Sequence, residues 1–291
     1  LGKGNFGRVY QGKNTKSGES VIIKRQYIDI MESYAQTEID VLKIINCRQS
    51  KFLCYVDVIY GKEKDLFGDM RKYVDIVTKY IPNAKDLGQP LPSISLETLI
   101  DIFINISIGL DWLHHNGILH LDIKPDNILL GSGNDVYIID YGLSCFREKT
   151  EELSSKTTIC KDIHDIRGYV LYMGPELSLL KLNTNQIGTH SDVYSLGVTF
   201  YYLLNQREQL PYNLTSVNDV TKIFNLELPM TPLIISPIFQ FPEDWSVEQQ
   251  TEVIKQLTNI INGMLNPKYY QRTPLDDVID QLWEIKKLLK N

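Results

Sequence analysis

HLDIKPDNILL, residues 120–130, places Asp122, Lys124 and Asn127 close together and then closes on an apolar tail, Ile128, Leu129 and Leu130. A buried strand gains nothing from an Asp, a Lys and an Asn at its head, because each must find a partner or stay in water. The head of the stretch therefore points to chemistry, and the tail to a short strand that anchors it. Leu121 is the odd residue: it is apolar, yet it stands between His120 and Asp122, where a charge would be less surprising.

Working outward, IIDYGLS (138–144) sets Asp140 after an apolar strand and before a turn that Gly142 permits. Upstream, LGKGNFGRVY (1–10) holds Gly2, Gly4 and Gly7 at a spacing that lets backbone N–H groups approach phosphate oxygens closely. Strand-like residues follow Gly7, so the dinucleotide-binding turn that opens a helix fits badly. Lys24 ends the apolar VIIK beside this glycine turn, within reach of nucleotide phosphates. Glu38, on the helical stretch that follows, can hold the ammonium. Glu32 and Asp40 compete for it; Glu38 is preferred because EIDVLKII around it carries the apolar face of the helix.

These groups suit phosphoryl transfer to a hydroxyl, which asks a protein mainly for positioning and charge stabilisation. Asp122 can orient the attacking hydroxyl and accept its proton, and Lys124 can neutralise the γ-phosphate. Asn127 and Asp140 can ligate Mg²⁺, a hard ion that favours oxygen ligands and keeps waters.

Around these motifs the periodicity changes character. Residues 1–28 read as strands joined by turns, and 32–45 as a helix. Residues 52–60 and 73–81 return to β-like alternation, with 61–72 as a loop between them. The Pro- and Gly-rich segment 81–93 divides the chain. Beyond it Leu96, Leu99, Ile100, Phe103, Ile106, Leu110 and Leu113 make one apolar helix face, and further helices are expected at about 191–205, 247–264 and 275–290. A polar segment, 147–167, and an irregular Pro-containing stretch, 229–242, lie between them. The pattern is a small β-rich lobe with one helix, then a larger helical lobe.

With 291 residues, 43% hydrophobic and 23% charged, the chain has the profile of a soluble globular protein with ample core. A net charge of −6 and no Lys/Arg-dense run argue against direct binding of nucleic acid or an anionic membrane. No apolar run approaches the roughly 18–20 residues that span a bilayer, and 99–110 is broken by Asp101 and Asn105. The scattered Cys47, Cys54, Cys145 and Cys160, with no CxxC pair, read as reduced thiols of a cytoplasmic or other intracellular protein. The chain opens inside its glycine motif and so looks like an excised domain.

The glycine loop, VIIK, HLDIKPDN and DYG are followed by GYVLYMGPE (168–176), SDVYSLGV (191–198) and QRT (271–273). In order and spacing they match the signature set of eukaryotic-type protein kinases, and the chain resembles that family over nearly its whole length. The resemblance implies a bilobal α+β fold: an N-lobe, 1–81, with an antiparallel sheet and one helix, and a mainly helical C-lobe, 82–291, together one catalytic domain. It implies ATP and Mg²⁺, a protein substrate, and Ser/Thr acceptors, since Tyr-specific members usually replace the Lys of IKPDN. Leu1, Val9, Ile22, Leu129 and Ile139 would sandwich the adenine, with Thr78 beside it as gatekeeper. Glu176 would pair with Arg272, and Asp192 would hold the backbone of the catalytic loop. A regulatory region or partner acting from upstream is expected. The alternative is a pseudokinase serving as a nucleotide-binding scaffold or interaction module.

The sequence departs from the family in four places. Ile22 stands where Ala is usual, and Lys79 where an acid is usual. Tyr169 replaces a Thr that bridges the catalytic Asp and Lys, so Lys124 is expected to lose a partner. Leu121 replaces an Arg that binds phosphate on the activation segment. Leu121 is therefore expected to pack beneath that segment, whose hydroxyls (Ser154, Ser155, Thr157, Thr158) would be solvated, in a domain active without segment phosphorylation. Arg147 and Arg167 are the other residues able to take over the phosphate.

Overall fold

The computed structural model describes residues 2–4, 7–47, 50–65, 67–90, 94–163, 168–178, 184–205, 210–213, 222 and 239–290. Strands β1 (Gly2–Gly4), β2 (Gly7–Lys13), β3 (Ser20–Tyr27), β4 (Tyr55–Lys64) and β5 (Met70–Lys79) form an antiparallel sheet in the order β1-β2-β3-β5-β4. Strands β4 and β5 run further than their alternation suggests. Most of the polar stretch expected to be a loop is paired, with Lys64 opposite Met70. Polar residues suit these positions because one face is exposed (Lys62, Lys64, Lys72) and the other is only half-buried, with Glu63 bonded to Arg25 and Tyr27.

Helix α1 (Ile28–Ile45) joins β3 to β4. Ala35, Ile39, Leu42 and Ile45 recur at helical spacing and are all buried, sharing a core with Val74 and Ile76 of β5. Each such Leu or Ile contributes roughly 1.5–3 kcal/mol. The helix stops at Asn46, which turns left-handed (φ 36°) and returns its N–H to Leu42 O.

The rest of the chain is mainly helical. Short strands β6 (Lys85–Asp86) and β7 (Ile94–Ser95) lead into α2 (Leu96–His115), whose first turn is capped by the Ser95 hydroxyl accepting from Thr98 N at 3.1 Å. Helix α2 is buried on most of its circumference, so it lies at the centre of this part. After it come β8 (Ile118–Leu119), β9 (Ile128–Leu130), β10 (Val136–Ile138) and β11 (Cys145–Phe146), then α3 (Pro175–Ser178) and α4 (Thr189–Leu204). Strand β12 (Phe239–Gln240), α5 (Val247–Met264) and α6 (Leu275–Lys290) complete the described elements. Phe103 of α2 stacks on Phe200 of α4 with ring centroids 3.9 Å apart. One continuous core runs from α1 to α6.

Two buried carboxylates organise this helical part. Asp192 of α4 accepts the backbone N–H groups of His120 at 2.8 Å and Leu121 at 2.7 Å, and His114 Nε2–H at 2.9 Å. Burial alone would push the Asp192 pKa up; the hydrogen bonds from His114 and the backbone outweigh it and hold the pKa below the usual range. Glu176 forms a two-pronged pair with Arg272 at 2.7 and 2.6 Å. The remaining groups of this pair are also bonded: Ser191 Oγ donates to Glu176, and Arg272 donates to the carbonyls of Asn266 and His190.

The cysteines depart from the reduced state expected of them. Cys47 is bonded to Cys54, and Cys145 of β11 to Cys160. Spacing could not reveal this, because the second pair meets only when the chain folds back across β11. A reducing compartment would favour opening such bonds. Among the described residues no helix is long and apolar enough to cross a membrane.

The Glu176–Arg272 pair yields a direct expectation. The side chains are 1% and 0% exposed, so Arg272→Ala leaves a carboxylate buried without its cation. The loss should be about 3–5 kcal/mol, read as a clear fall in melting temperature. A variant melting with the parent would refute the pairing.

Candidate functional site

Alternation along β3 sends Ile22, Lys24 and Gln26 to one face of the sheet, where Ile22 pairs with Thr78 and Lys24 with Ile76 of β5. Lys24 Nζ reaches both Glu38 oxygens, at 2.8 and 2.7 Å, and Asp140 Oδ1 at 2.8 Å. The other two candidates for this pairing are engaged elsewhere: Glu32 pairs with Lys156, and Asp40 accepts from Gln36 and the segment around Thr157. Gln26, which sequence reasoning missed, donates to Glu38 Oε2 at 2.5 Å. Its signal was available, since it stands two residues past Lys24 on the same strand face.

One ammonium thus serves two carboxylates. Burial disfavours the charged form of Lys24, but Asp140 and Glu38 outweigh it and raise its pKa above that of an ordinary lysine. Glu38 is pushed up by burial and by Asp140, against the pull of Lys24. Burial would raise Asp140 too, yet Lys24 wins there and holds it low. Asp140 adopts a left-handed backbone (φ 65°), uncommon for a residue with a side chain, and this carries the chain out of the strand region into the cleft.

The second cluster is the quoted stretch itself. Asp122 Oδ2 accepts from Lys124 Nζ at 2.6 Å and Asn127 Nδ2 at 2.7 Å, while Oδ1 accepts the Tyr169 N–H at 3.1 Å. Lys124 therefore keeps a partner despite the missing Thr, and the backbone of Tyr169 does part of what that hydroxyl would have done. Gly168 is required beside it: its φ is +88°, and a Cβ there would meet Leu121 O at 2.5 Å. Asn127 spends both amide hydrogens on Asp122, at 2.8 Å to O and 2.7 Å to Oδ2. Its amide oxygen is left for another electropositive group. That donor chemistry, an amide oxygen and an ionised carboxylate in one cleft, fits a hard divalent ion completed by phosphate oxygens and water. Among the described residues no cluster of three or more His, Cys, Asp or Glu side chains could hold a metal by itself.

His120 turns inward. Its Nε2–H donates to Ile139 O at 3.0 Å and its Nδ1 accepts Asp122 N–H at 3.2 Å, which fixes the tautomer. Tyr141 is fully buried against it and donates to Ile138 O at 2.6 Å.

Between the sheet and β9 lies a cavity of about 830 Å³ lined by Val9, Ile22, Leu129 and Ile139, with Lys24, Glu38 and Asp140 at one side. Four of the five residues expected to sandwich a flat ligand line it; Leu1 lies outside the described residues. Gly2, Gly4 and Gly7 form the β1–β2 hairpin, which leads into Val9. The cavity continues past Thr78 to Leu42, Ile76 and Tyr141. These were also missed, although Ile76 is two residues before Thr78 on one strand face and Leu42 one helical turn after Glu38. Lys79 lines the rim and is exposed.

The family description "protein kinase domain" matches residues 1–284. The chain belongs to the protein kinase family. It is 30% identical over 210 residues to CBL-interacting serine/threonine-protein kinase 20 of Arabidopsis thaliana, covering 70% of this chain and 43% of that protein. It is 28% identical over 300 residues to serine/threonine-protein kinase dst1 of Dictyostelium discoideum (100% and 36%). To serine/threonine-protein kinase PknD of Protochlamydia amoebophila it is 27% identical over 264 residues (83% and 26%). The chain thus spans less than half the length of these relatives. A kinase domain implies the use of ATP with a divalent metal, and proteins as substrates.

The depth of the kinase cavity behind Thr78 gives a ligand test. Thr78→Met should fill that space and weaken an inhibitor reaching past Thr78 by about tenfold or more, the scale of an overpacking cost of 1–3 kcal/mol. ATP, which stays on the near side, should lose far less. Equal losses in calorimetric titrations of the two ligands would show that Thr78 does not guard the space.

Proposed function

We propose that this domain transfers the γ-phosphoryl group of ATP to serine and threonine hydroxyls of protein substrates, and that it does so without phosphate on its activation segment. Residues 1–81 and 82–291 act as its two lobes. The observation that carries the reading is that Lys24 is bonded at once to Glu38 and Asp140, while the bonded Asp122–Lys124–Asn127 cluster is tied to the residue before Asp140 by Ile139 N–H donating to Asn127 O at 3.0 Å.

Each group has a task within reach. Lys24, held by Glu38, which Gln26 in turn steadies, presents its ammonium to the α- and β-phosphates. Asp122 is fixed by three donors, so its carboxylate is aimed rather than free, and it orients the acceptor hydroxyl and takes its proton. Lys124, already on Asp122, offsets charge on the γ-phosphate. Asn127 and Asp140 would hold Mg²⁺, which when bound neutralises phosphate charge. Ser/Thr acceptors are supported by Lys124 in IKPDN and by the likeness to serine/threonine-protein kinases. A pseudokinase scaffold would be expected to lack one of these groups, and none is lacking. An ATP-supplied intracellular compartment suits the activity.

Independence from segment phosphorylation is supported by Leu121. It is 4% exposed and packs with Cys145, Cys160, Ile163, Met173 and Leu177, beneath the activation segment. A neutral, buried side chain there has no charge awaiting a phosphate.

The test is phosphate transfer from Mg·ATP to arrayed peptides bearing Ser, Thr or Tyr. Ser and Thr peptides should be labelled, and Asp140→Asn and Lys24→Met should each lower the rate by ~10²-fold or more. Nucleotide binding without transfer would favour the scaffold. Near-normal turnover in either variant would remove these residues from their roles.

A further inference from the structure

Two of the activation-segment hydroxyls are not solvated as expected. Thr157 and Thr158 are 6% and 7% exposed, and both face α1. Thr157 donates its hydroxyl to Asp40 Oδ2, which also accepts the Ser154 N–H at 3.2 Å. Thr158 donates its N–H to Thr37 Oγ1 at 2.9 Å, and the two threonine hydroxyl oxygens lie 3.1 Å apart. Thr37 and Asp40 are three residues apart, hence neighbours on one helix face, and Glu38 lies on the same turn. An exposed Lys156–Glu32 pair adds little.

The segment is also tied to the body of the molecule. Phe146 N–H donates to Thr158 O at 3.0 Å and Phe146 bridges Ile159, contacts that do not depend on the Cys145–Cys160 bond. Residues 154–160 therefore form a strut: one side is fixed to β11, and the other bears on the helix that carries Glu38.

We propose that Thr157 and Thr158 are positioning residues which, docked on Asp40 and Thr37, hold α1 where Glu38 reaches Lys24, so that phosphate on Thr157 lowers turnover. The proposal deepens the kinase reading and rests on it. It inverts the usual sign of segment phosphorylation because the receiving side chain on α1 is an acid. A phosphate of charge about −1.5 to −2 would replace a hydroxyl that donates to Asp40, setting like charges against each other in a site with little water. Two cations of the segment, Lys149 and Lys156, are bonded to Ser154 O and Glu32. If they left these partners to capture the phosphate, the sign would revert to activation.

The test uses the whole domain and combines initial rates with amide exchange of residues 33–45, measured with and without a non-hydrolysable nucleotide. The Thr157→Val/Thr158→Val pair should lose about tenfold in kcat, the scale of one to two net hydrogen bonds, with the peptide KM little changed and faster exchange in α1. Thr157→Ser/Thr158→Ser restores the hydroxyls and should recover the rate that valine loses. Phosphothreonine installed at 157 should lower kcat at least as far as the valine pair. Ser155→Glu, at an exposed neighbour, should leave the rate unchanged. A valine pair with parental kcat and exchange, or a phosphothreonine that raises kcat, would overturn the proposal. If the parent itself transfers no phosphate, the kinase reading fails, while exchange in the valine pair still decides whether the dock holds α1.

Discussion

The structure depends on one cation with two claims on it. Lys24 Nζ lies 2.7 Å from Glu38 and 2.8 Å from Asp140, so β3, α1 and the turn after β10 converge on a single ammonium. Three separately folded pieces must be right for that to happen: the strand register that turns Lys24 inward, the apolar face of α1 that seats the helix, and the left-handed step at Asp140. Two carboxylates on one ammonium is also an unequal arrangement. Burial pushes the Glu38 pKa up, with Gln26 donating to that carboxylate, whereas Lys24 holds Asp140 low.

A second constraint supports the first from below. Leu121 takes a left-handed backbone (φ 61°), which costs an ordinary residue roughly 1–2 kcal/mol. The Asp192 carboxylate makes it tolerable by binding the N–H groups of both His120 and Leu121. Asp122 is then delivered to the cleft, and the Leu121 side chain is turned the other way, into an apolar cluster with Met173 and Leu177. This answers why an apolar residue can stand between His120 and Asp122. The backbone geometry is fixed by Asp192 rather than by the side chain at 121, and that side chain contributes burial where a charge would need a partner.

Much of this was legible in the sequence because it is local. Strand alternation turned Lys24 inward, helical period selected Glu38 over Glu32 and Asp40, and the close spacing of Asp122, Lys124 and Asn127 forced them into one cluster. What escaped depends on long-range closure. The meeting of Cys145 with Cys160, and of Thr157 with Asp40 more than a hundred positions earlier, is set by the path of the activation segment, and no periodicity encodes that path. Strands β4 and β5 run further than sequence reading expects for a different reason: at their outer ends exposed and half-buried residues still alternate, but the half-buried ones (Glu63, Arg71) are charged, so no apolar period marks them.

The central claim is that this site is assembled by contacts within the unmodified chain. The most direct measurement is the progress curve of phosphate transfer to a Ser/Thr peptide, starting from protein shown by mass spectrometry to carry no phosphate. The account predicts a rate that is linear from the first turnovers and unchanged by prior incubation with Mg·ATP. A lag that shortens as the activation segment acquires phosphate, with no transfer before it, would contradict it.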